Sequence, residues 1–404
     1  MSRPKIIFVV TEDWFFHSHF LPLVEAARRA GAGEIILAAN VTGSHEAIGK
    51  HGVRVSPVAF ERASRSPLSA LRLMLRLNRL FRRQAPDIIH FISWKPILVG
   101  GLAARLAVAA HASIYHITGH GILTGDLDAG FTRMGARAAR LLIRFLRDPR
   151  SWLLLENPDD GQALSRIGRL PADRVTMLGG AGVDPESFPP WPPADDQPLR
   201  LAFVGRLIWS KGLDVLIRAL DLVRQAGQEV HLDIHGAPDP DNPRPVAMED
   251  LRRWSRRPDV TWHGRSDDVS GAWKQAAVAV VPSRGGEGLP RSMLEAASSA
   301  RPLIVTDVPG CRRFVRHGQE GLIVPPADPE ALARAILELA ADTGLRRRMG
   351  AAARQRVLDG FTQDHVIADM TAVYERLLRE TGGGGTLRGK GPVSSATSGE
   401  GRAS

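Results

Sequence analysis

The chain has 404 residues, 44% hydrophobic and 24% charged, which is globular composition and enough length for two domains of ordinary size. Its single cysteine, Cys311, excludes an internal disulfide framework and fits a reducing compartment. A net charge of +10 at pH 7 points to a polyanionic neighbour, whether nucleic acid, an anionic lipid surface or phosphorylated ligands.

The N-terminal stretch "MSRPKIIFVVTEDW" holds five consecutive apolar residues, Ile6 to Val10. That is shorter than the apolar core of a signal peptide and far shorter than a bilayer span. No other uninterrupted apolar run reaches spanning length, so a cytoplasmic protein, free or lying on the inner face of the membrane, is expected.

From "KIIFVV" onward, short apolar runs alternate with helical segments such as "HFLPLVEAARRAG". The runs "EIILAAN", "GVRVSPV", "PDIIHFIS", "ASIYHITG", "SWLLLEN" and "RVTMLGG" follow. They are rich in β-branched residues and do not alternate polar with apolar, which predicts parallel strands buried on both faces. Between them, "SPLSALRLMLRLNRLFRRQAP" predicts a helix with Arg72, Arg76, Arg79 and Arg83 along one stripe. Leu68, Leu71, Met74, Leu75, Leu77 and Phe81 take the other side, and no acid falls between Glu61 and Asp87. "FTRMGARAARLLIRFLRDPR" repeats the theme with Arg133, Arg137, Arg140, Arg144 and Arg147. Two surface helices with solvated arginines would account for this, as would a basic amphipathic surface lying on anionic lipid. No nucleic-acid module accompanies the charge and aromatic residues are few in these segments, so nucleic acid is not expected.

The proline-rich stretch "GVDPESFPPWPPADDQP" breaks the rhythm and reads as an interdomain linker. Strand-like runs then restart: "LRLAFVG", "VHLDIHG", "VTWHG", "AAVAVVP", "RPLIVTD" and "EGLIVPP". Two tandem α/β domains follow, 1–183 and 199–360, joined by a linker at 184–198. A C-terminal helix at 361–380 can pack back on the N-terminal domain. The Gly/Ser-rich tail 381–404 is expected to be disordered. Ligands of such sheets bind at the carboxyl ends of the strands.

Two stretches of the second domain carry chemistry. In "FVGRLIWSKGLDVL", Gly205 ends a strand, and Arg206 and Lys211 stand before a helix, where they can neutralise a diphosphate. In "PSRGGEGLPRSMLEAAS", Gly286 and Gly288 permit close backbone approach, and Pro290 suits the first turn of a helix. The N–H groups of Gly288, Leu289 and their neighbours can hold phosphate oxygens. A carboxylate would repel phosphate, so Glu287 and Glu295 are read as acceptors for sugar and ribose hydroxyls. Taken alone, the cation pair reads as solvated surface charges and the glutamate pair as a cap and an exposed helical residue.

Together with "RPLIVTDVPGCRRFVRHGQEGLIVPP" and "DPEALARAI", these stretches resemble the donor half of a family 4 glycosyltransferase, from about Leu199 to Ala341. The resemblance implies the GT-B fold, two Rossmann-like α/β domains facing an interdomain cleft, and a retaining enzyme. It implies that Arg206 and Lys211 clamp the nucleotide diphosphate, that Glu287 and Glu295 form the Glu-x7-Glu motif, and that Arg206, Lys211 and Glu287 carry the reaction. Gly205, Gly286, Gly288, Leu289, Pro290 and Glu295 would bind a nucleotide-sugar, with UDP the expected nucleotide and no metal or other cofactor. "VVTEDWFFHSHFLPLVEAARRAG", "HITGHG" and "ENPDD" resemble enzymes that extend polyprenyl-diphosphate-linked sugars or other envelope polysaccharides. His17, His19, Thr118, Gly119 and His120 are the acceptor-side candidates. His120 departs from the pattern, because an apolar residue is expected before that glycine. His17 and His19 have metal-like spacing but no third ligand nearby, so no metal is expected. An envelope acceptor would be lipid-anchored, which favours membrane contact through the first arginine stripe. The rival readings are a UDP-sugar 2-epimerase of the same fold and a non-catalytic membrane scaffold. A nicotinamide dehydrogenase is disfavoured because no G-x-G-x-x-G follows the first strand.

Overall fold

The computed structural model describes residues 3–61, 66–107, 111–119, 129–192, 198–266 and 268–382. In the first domain, β1 (Lys5–Glu12), β2 (Glu34–Asn40), β3 (Arg54–Pro57), β4 (Ile88–Ile92), β5 (Ala112–Ile117), β6 (Ser151–Leu155) and β7 (Val175–Met177) form one parallel sheet. Their order is β3-β2-β1-β4-β5-β6-β7. In the second, β8 (Leu199–Val204), β9 (Val230–His235), β10 (Val260–Gly264), β11 (Val278–Val281), β12 (Leu303–Thr306) and β13 (Gly321–Val324) pair in parallel in the order β10-β9-β8-β11-β12-β13.

β1 shows why the strands read as unbroken apolar runs. Ile6, Phe8 and Val10 enter one helix layer while Ile7 and Val9 enter the other. Both faces are covered, so neither can be polar. Each sheet reverses strand order once, between β1 and β4 and between β8 and β11. Reversal opens a crevice at the carboxyl ends of the strands, and the two crevices contribute to one shared cleft.

The crossing between domains is two segments thick. Val183 N–H donates to Phe361 O at 3.0 Å, and Gln363 N–H donates to Val183 O at 2.9 Å. Beyond Val183 the linker lies on the second domain, where Ser298 and Arg301 donate to the carbonyls of Phe188, Trp191 and Pro192. Its residues 193–197, and the tail from 383, lie outside the described residues.

The helix Gln363–Gly382 returns to the first domain, where Val366, Met370, Tyr374 and Leu377 share a core with Ile6 and Phe8. Tyr374 Oη lies 2.8 Å from Nδ1 of the buried His90, and Arg174 reaches Glu380 at 2.7 Å.

The helix Pro67–Gln84 departs from the sequence reading in one respect. Only Leu73, Leu77 and Phe81 are buried. Leu68, Leu71 and Leu75 stand 64%, 46% and 48% exposed, beside the exposed Arg72, Arg76, Arg79 and Arg83.

Candidate active site

A cavity of about 790 Å³ lies between the domains. The first domain lines it with Glu12, Trp14, Phe15, His19, Thr118, Gly119 and Glu156, the second with Gly205, Arg206, Lys211, Gly286 to Ser292 and Glu295.

Local chain chemistry sets the second-domain side. Gly212 follows Lys211 at φ +71°, and a Cβ there would stand 1.9 Å from the Pro282 carbonyl oxygen. A glycine is therefore needed for the turn Trp209–Lys211 to lie against the end of β11. That contact brings Lys211 Nζ to 2.5 Å from Glu287 Oε1, which also accepts from Ser283 Oγ at 2.9 Å. Burial pushes the Glu287 carboxyl up, but Lys211, Ser283 and Arg206 outweigh it and hold it below the ordinary carboxylate range. Arg206 pairs with Asp239 at 2.7 Å and lies over the Trp14 ring from the facing domain.

Pro290 precedes the helix Arg291–Ser298. Its φ of −60° suits that place, and helix geometry leaves the N–H groups of Arg291 and Ser292 without intrahelical acceptors, whereas Met293 N–H donates to Pro290 O at 3.1 Å. Glu295, one turn in, is 5% exposed and takes Arg291 Nε at 2.7 Å. Its carboxyl is pushed up by burial, more than Arg291 lowers it.

On the facing side, His19 lines the cavity and its Nδ1 lies 2.6 Å from Ser18 Oγ. Burial, and then the charges of Arg291, Arg206 and Lys211, push its pKa down to about 3. His19 is therefore neutral and sits in the positive field of the three cations. Among the described residues, no three His, Cys, Asp or Glu side chains converge as a metal site.

A clamp of cations, paired carboxylates and a helix N-terminus in an interdomain cleft agrees with the comparisons to known proteins. The signature described as "Glycosyl transferases group 1" matches residues 198–342, and that described as "Glycosyl transferase 4-like" matches residues 5–144. The chain belongs to the family 4 glycosyltransferases of the GT-B fold. EpsD of Bacillus subtilis is 26% identical over 395 residues, covering 92% of this chain and 96% of EpsD. The capsular polysaccharide biosynthesis glycosyltransferase CapM of Staphylococcus aureus is 27% identical over 183 residues, 45% of this chain and 47% of CapM. Anabaena HepE, solved with UDP and glucose, superposes with a TM-score of 0.72 at 19% identity, over 93% of this chain and all of HepE.

Within this glycosyltransferase, the structure brings Gly205, Arg206, Lys211, Gly286, Glu287, Gly288, Leu289, Pro290 and Glu295 together on one wall. His19, Thr118 and Gly119 lie on the opposite wall, and His17 is not among the lining residues. His120 lies outside the described residues. One reading needs correction: the Leu289 N–H is not open to a phosphate oxygen here, because it donates to Glu156 Oε2 at 3.0 Å. Sequence reasoning gave Glu156 no role, nor the buried His116 whose Nε2 lies 3.2 Å from Glu156 Oε1. Their signal was positional: a polar residue at or near the carboxyl end of a predicted strand.

Proposed function

We propose that this glycosyltransferase moves a sugar from a nucleoside diphosphate, uridine diphosphate in our reading, to a hydroxyl of a lipid-linked or polysaccharide acceptor in cell-envelope glycan synthesis, with retention at the anomeric carbon. The observation that carries the reading is the Lys211–Glu287 pair at 2.5 Å, set beside Arg206 and the start of the helix Arg291–Ser298. Lys211 serves the diphosphate and Glu287 the hexose hydroxyls, so donor entry exchanges their mutual contact for one contact each with the substrate.

In the transfer, the acceptor oxygen attacks the anomeric carbon on the face from which the diphosphate departs. The C–O bond to the diphosphate breaks with its electron pair going to the diphosphate oxygen, and that oxygen takes the acceptor proton. The negative charge that develops is met by Arg206, Lys211 and the N–H groups of Arg291 and Ser292 at the start of the helix Arg291–Ser298. Glu295, inside the helix, faces the ribose. That HepE was solved with UDP and glucose, and that CapM serves capsular polysaccharide biosynthesis, supports donor and acceptor class.

The exposed Leu68, Leu71 and Leu75 beside the arginine stripe support a peripheral position on the inner face of an anionic membrane. No helix among the described residues is long and apolar enough to cross one.

The test is a panel of nucleotide-sugars read by released nucleotide, with and without added sugar acceptors. UDP release that depends on both donor and acceptor is expected. Turnover of a UDP-sugar without an acceptor, and with its 2-epimer as product, would favour the epimerase. No UDP binding by calorimetry would overturn the donor assignment.

A further inference from the structure

The reaction above gives no task to Glu156, a buried carboxylate that lines the cleft. Glu156 follows β6, and the next residues fix where it stands. Asn157 caps the helix Pro158–Ser165 by accepting the Asp160 N–H at 2.9 Å, and Pro158 opens that helix. Glu156 is thus pinned at a strand-to-helix junction of the first domain, 5% exposed. One oxygen lies 3.2 Å from the buried His116 on β5. The other accepts the Leu289 N–H of the second domain at 3.0 Å. Leu289 stands two residues after Glu287 and directly before Pro290, in the segment that leads into the helix carrying Glu295.

Glycines bring the two backbones together at this point. A Cβ on Gly288 would stand 1.9 Å from Glu156 Oε2 and 2.6 Å from the Thr118 carbonyl oxygen. A Cβ on Gly119 would stand 2.7 Å from Gly288 N and 2.8 Å from the Gly286 carbonyl oxygen. All four obstacles belong to the opposite domain. Gly288 is not among the residues at positive φ, so its missing side chain answers to the contact and not to the turn. The cleft is closed at the segment that carries Glu287, where the two backbones touch.

We propose that Glu156 is a positioning residue that couples closure of the cleft to the shape of the donor segment. Its carboxylate, fixed in the first domain, holds the Leu289 N–H and so sets the Glu287–Pro290 backbone against Thr118 and Gly119. Glu287 and the helix start then face the acceptor side only when the domains are closed. What the segment binds rests on the donor reading above, whereas the clamp is a property of the unliganded chain. A hydrogen bond to a charged acceptor is among the stronger ones, and its loss shifts a two-state equilibrium by about tenfold to a hundredfold.

The experiment uses the full chain without ligand. Small-angle scattering is expected to show a larger radius of gyration in Glu156→Ala than in the wild type. Glu156→Gln, whose amide oxygen still accepts the N–H, is expected to stay compact. Gly288→Ala disturbs the same contact from the other domain and leaves the first-domain core untouched, so it decides the matter if Glu156→Ala fails to fold. With UDP-glucose and a sugar acceptor from the panel above as the probes, Glu156→Ala is expected to lose tenfold or more in kcat for UDP release, with a smaller change in KM and recovery in Glu156→Gln. Equal scattering from the wild type, Glu156→Ala and Gly288→Ala overturns the clamp. Failure of the wild type to bind UDP would overturn the donor reading and leave the scattering result standing.

Discussion

Lys211 and Glu287 share one contact, so a change to either alters both. Lys211→Ala removes a cation that meets the leaving diphosphate, and on the order of 10² to 10³ in kcat is expected to go with it. The side chain is partly exposed and packs no core, so the thermal midpoint should move by only a few degrees; wild-type turnover in a folded variant would refute the role. Glu295→Gln should weaken UDP binding about ten- to a hundredfold by calorimetry, while Glu287→Gln should chiefly impair steps that need the sugar. Unchanged UDP affinity in Glu295→Gln would remove Glu295 from the ribose site. The half-buried His19 and the buried His90 set a pH dependence. His19 titrates at about 3 when folded and His90 well below its ordinary value, in both cases because burial disfavours the charged form. Below about pH 6.5 the unfolded chain binds protons that the folded chain does not. Stability is then expected to fall with pH by about 1.4 kcal/mol per unit for each such group. Urea midpoints between pH 7 and 5 check this, and His19→Gln should flatten the slope. That Arg206, Lys211, Glu287 and Glu295 belong to one site was legible through the combination of their stretches and the family resemblance, and the cavity brings all four onto one wall. Glu156 was not, because its partner Leu289 lies 133 residues away.

The helix Pro67–Gln84 shows what periodicity can and cannot settle. Its spacing displays two apolar stripes, and both are real. Leu73, Leu77 and Phe81 meet the sheet, and Leu68, Leu71 and Leu75 face outward. The sequence alone does not say which stripe the sheet covers, because that depends on how the helix is rotated against β4 and its neighbours. Arg200, Arg257, Arg284 and Arg316 each face a carboxylate. Among the described residues none of Arg72, Arg76, Arg79 and Arg83 makes such a pair. Four arginines near an anionic surface contribute about 4 kcal/mol, a millimolar association, so inserted leucines must add to it. Sedimentation with anionic liposomes is expected, with release as salt rises. Replacing the four arginines by glutamine, or Leu71 and Leu75 by asparagine, should lower binding sharply and spare UDP binding in the other domain. Wild-type sedimentation of both variants would reduce the stripe to a solvated face.

The doubling of the strand rhythm and the proline-rich break made two domains legible from the sequence. The way they are tied together was not, since the pairing of Val183 with Phe361 and Gln363 joins segments far apart in the chain. The helix Gln363–Gly382 supplies one wall of the first domain's core. Ending the chain at Gly360 would uncover Phe8, Val24 and His90, and loss of soluble monomer on size-exclusion chromatography is expected. A well-folded truncated monomer would show the helix to be dispensable. The same return crossing imposes an order on biosynthesis. The ribosome releases the first sheet long before the helix that seals it. At roughly 5–20 residues per second, the stretch between Val183 and Thr362 takes on the order of ten to forty seconds to make. Through that interval the nascent N-terminal half waits with this face of its core unsealed. The first half is therefore completed only after the second has been made, although each has a sheet of its own.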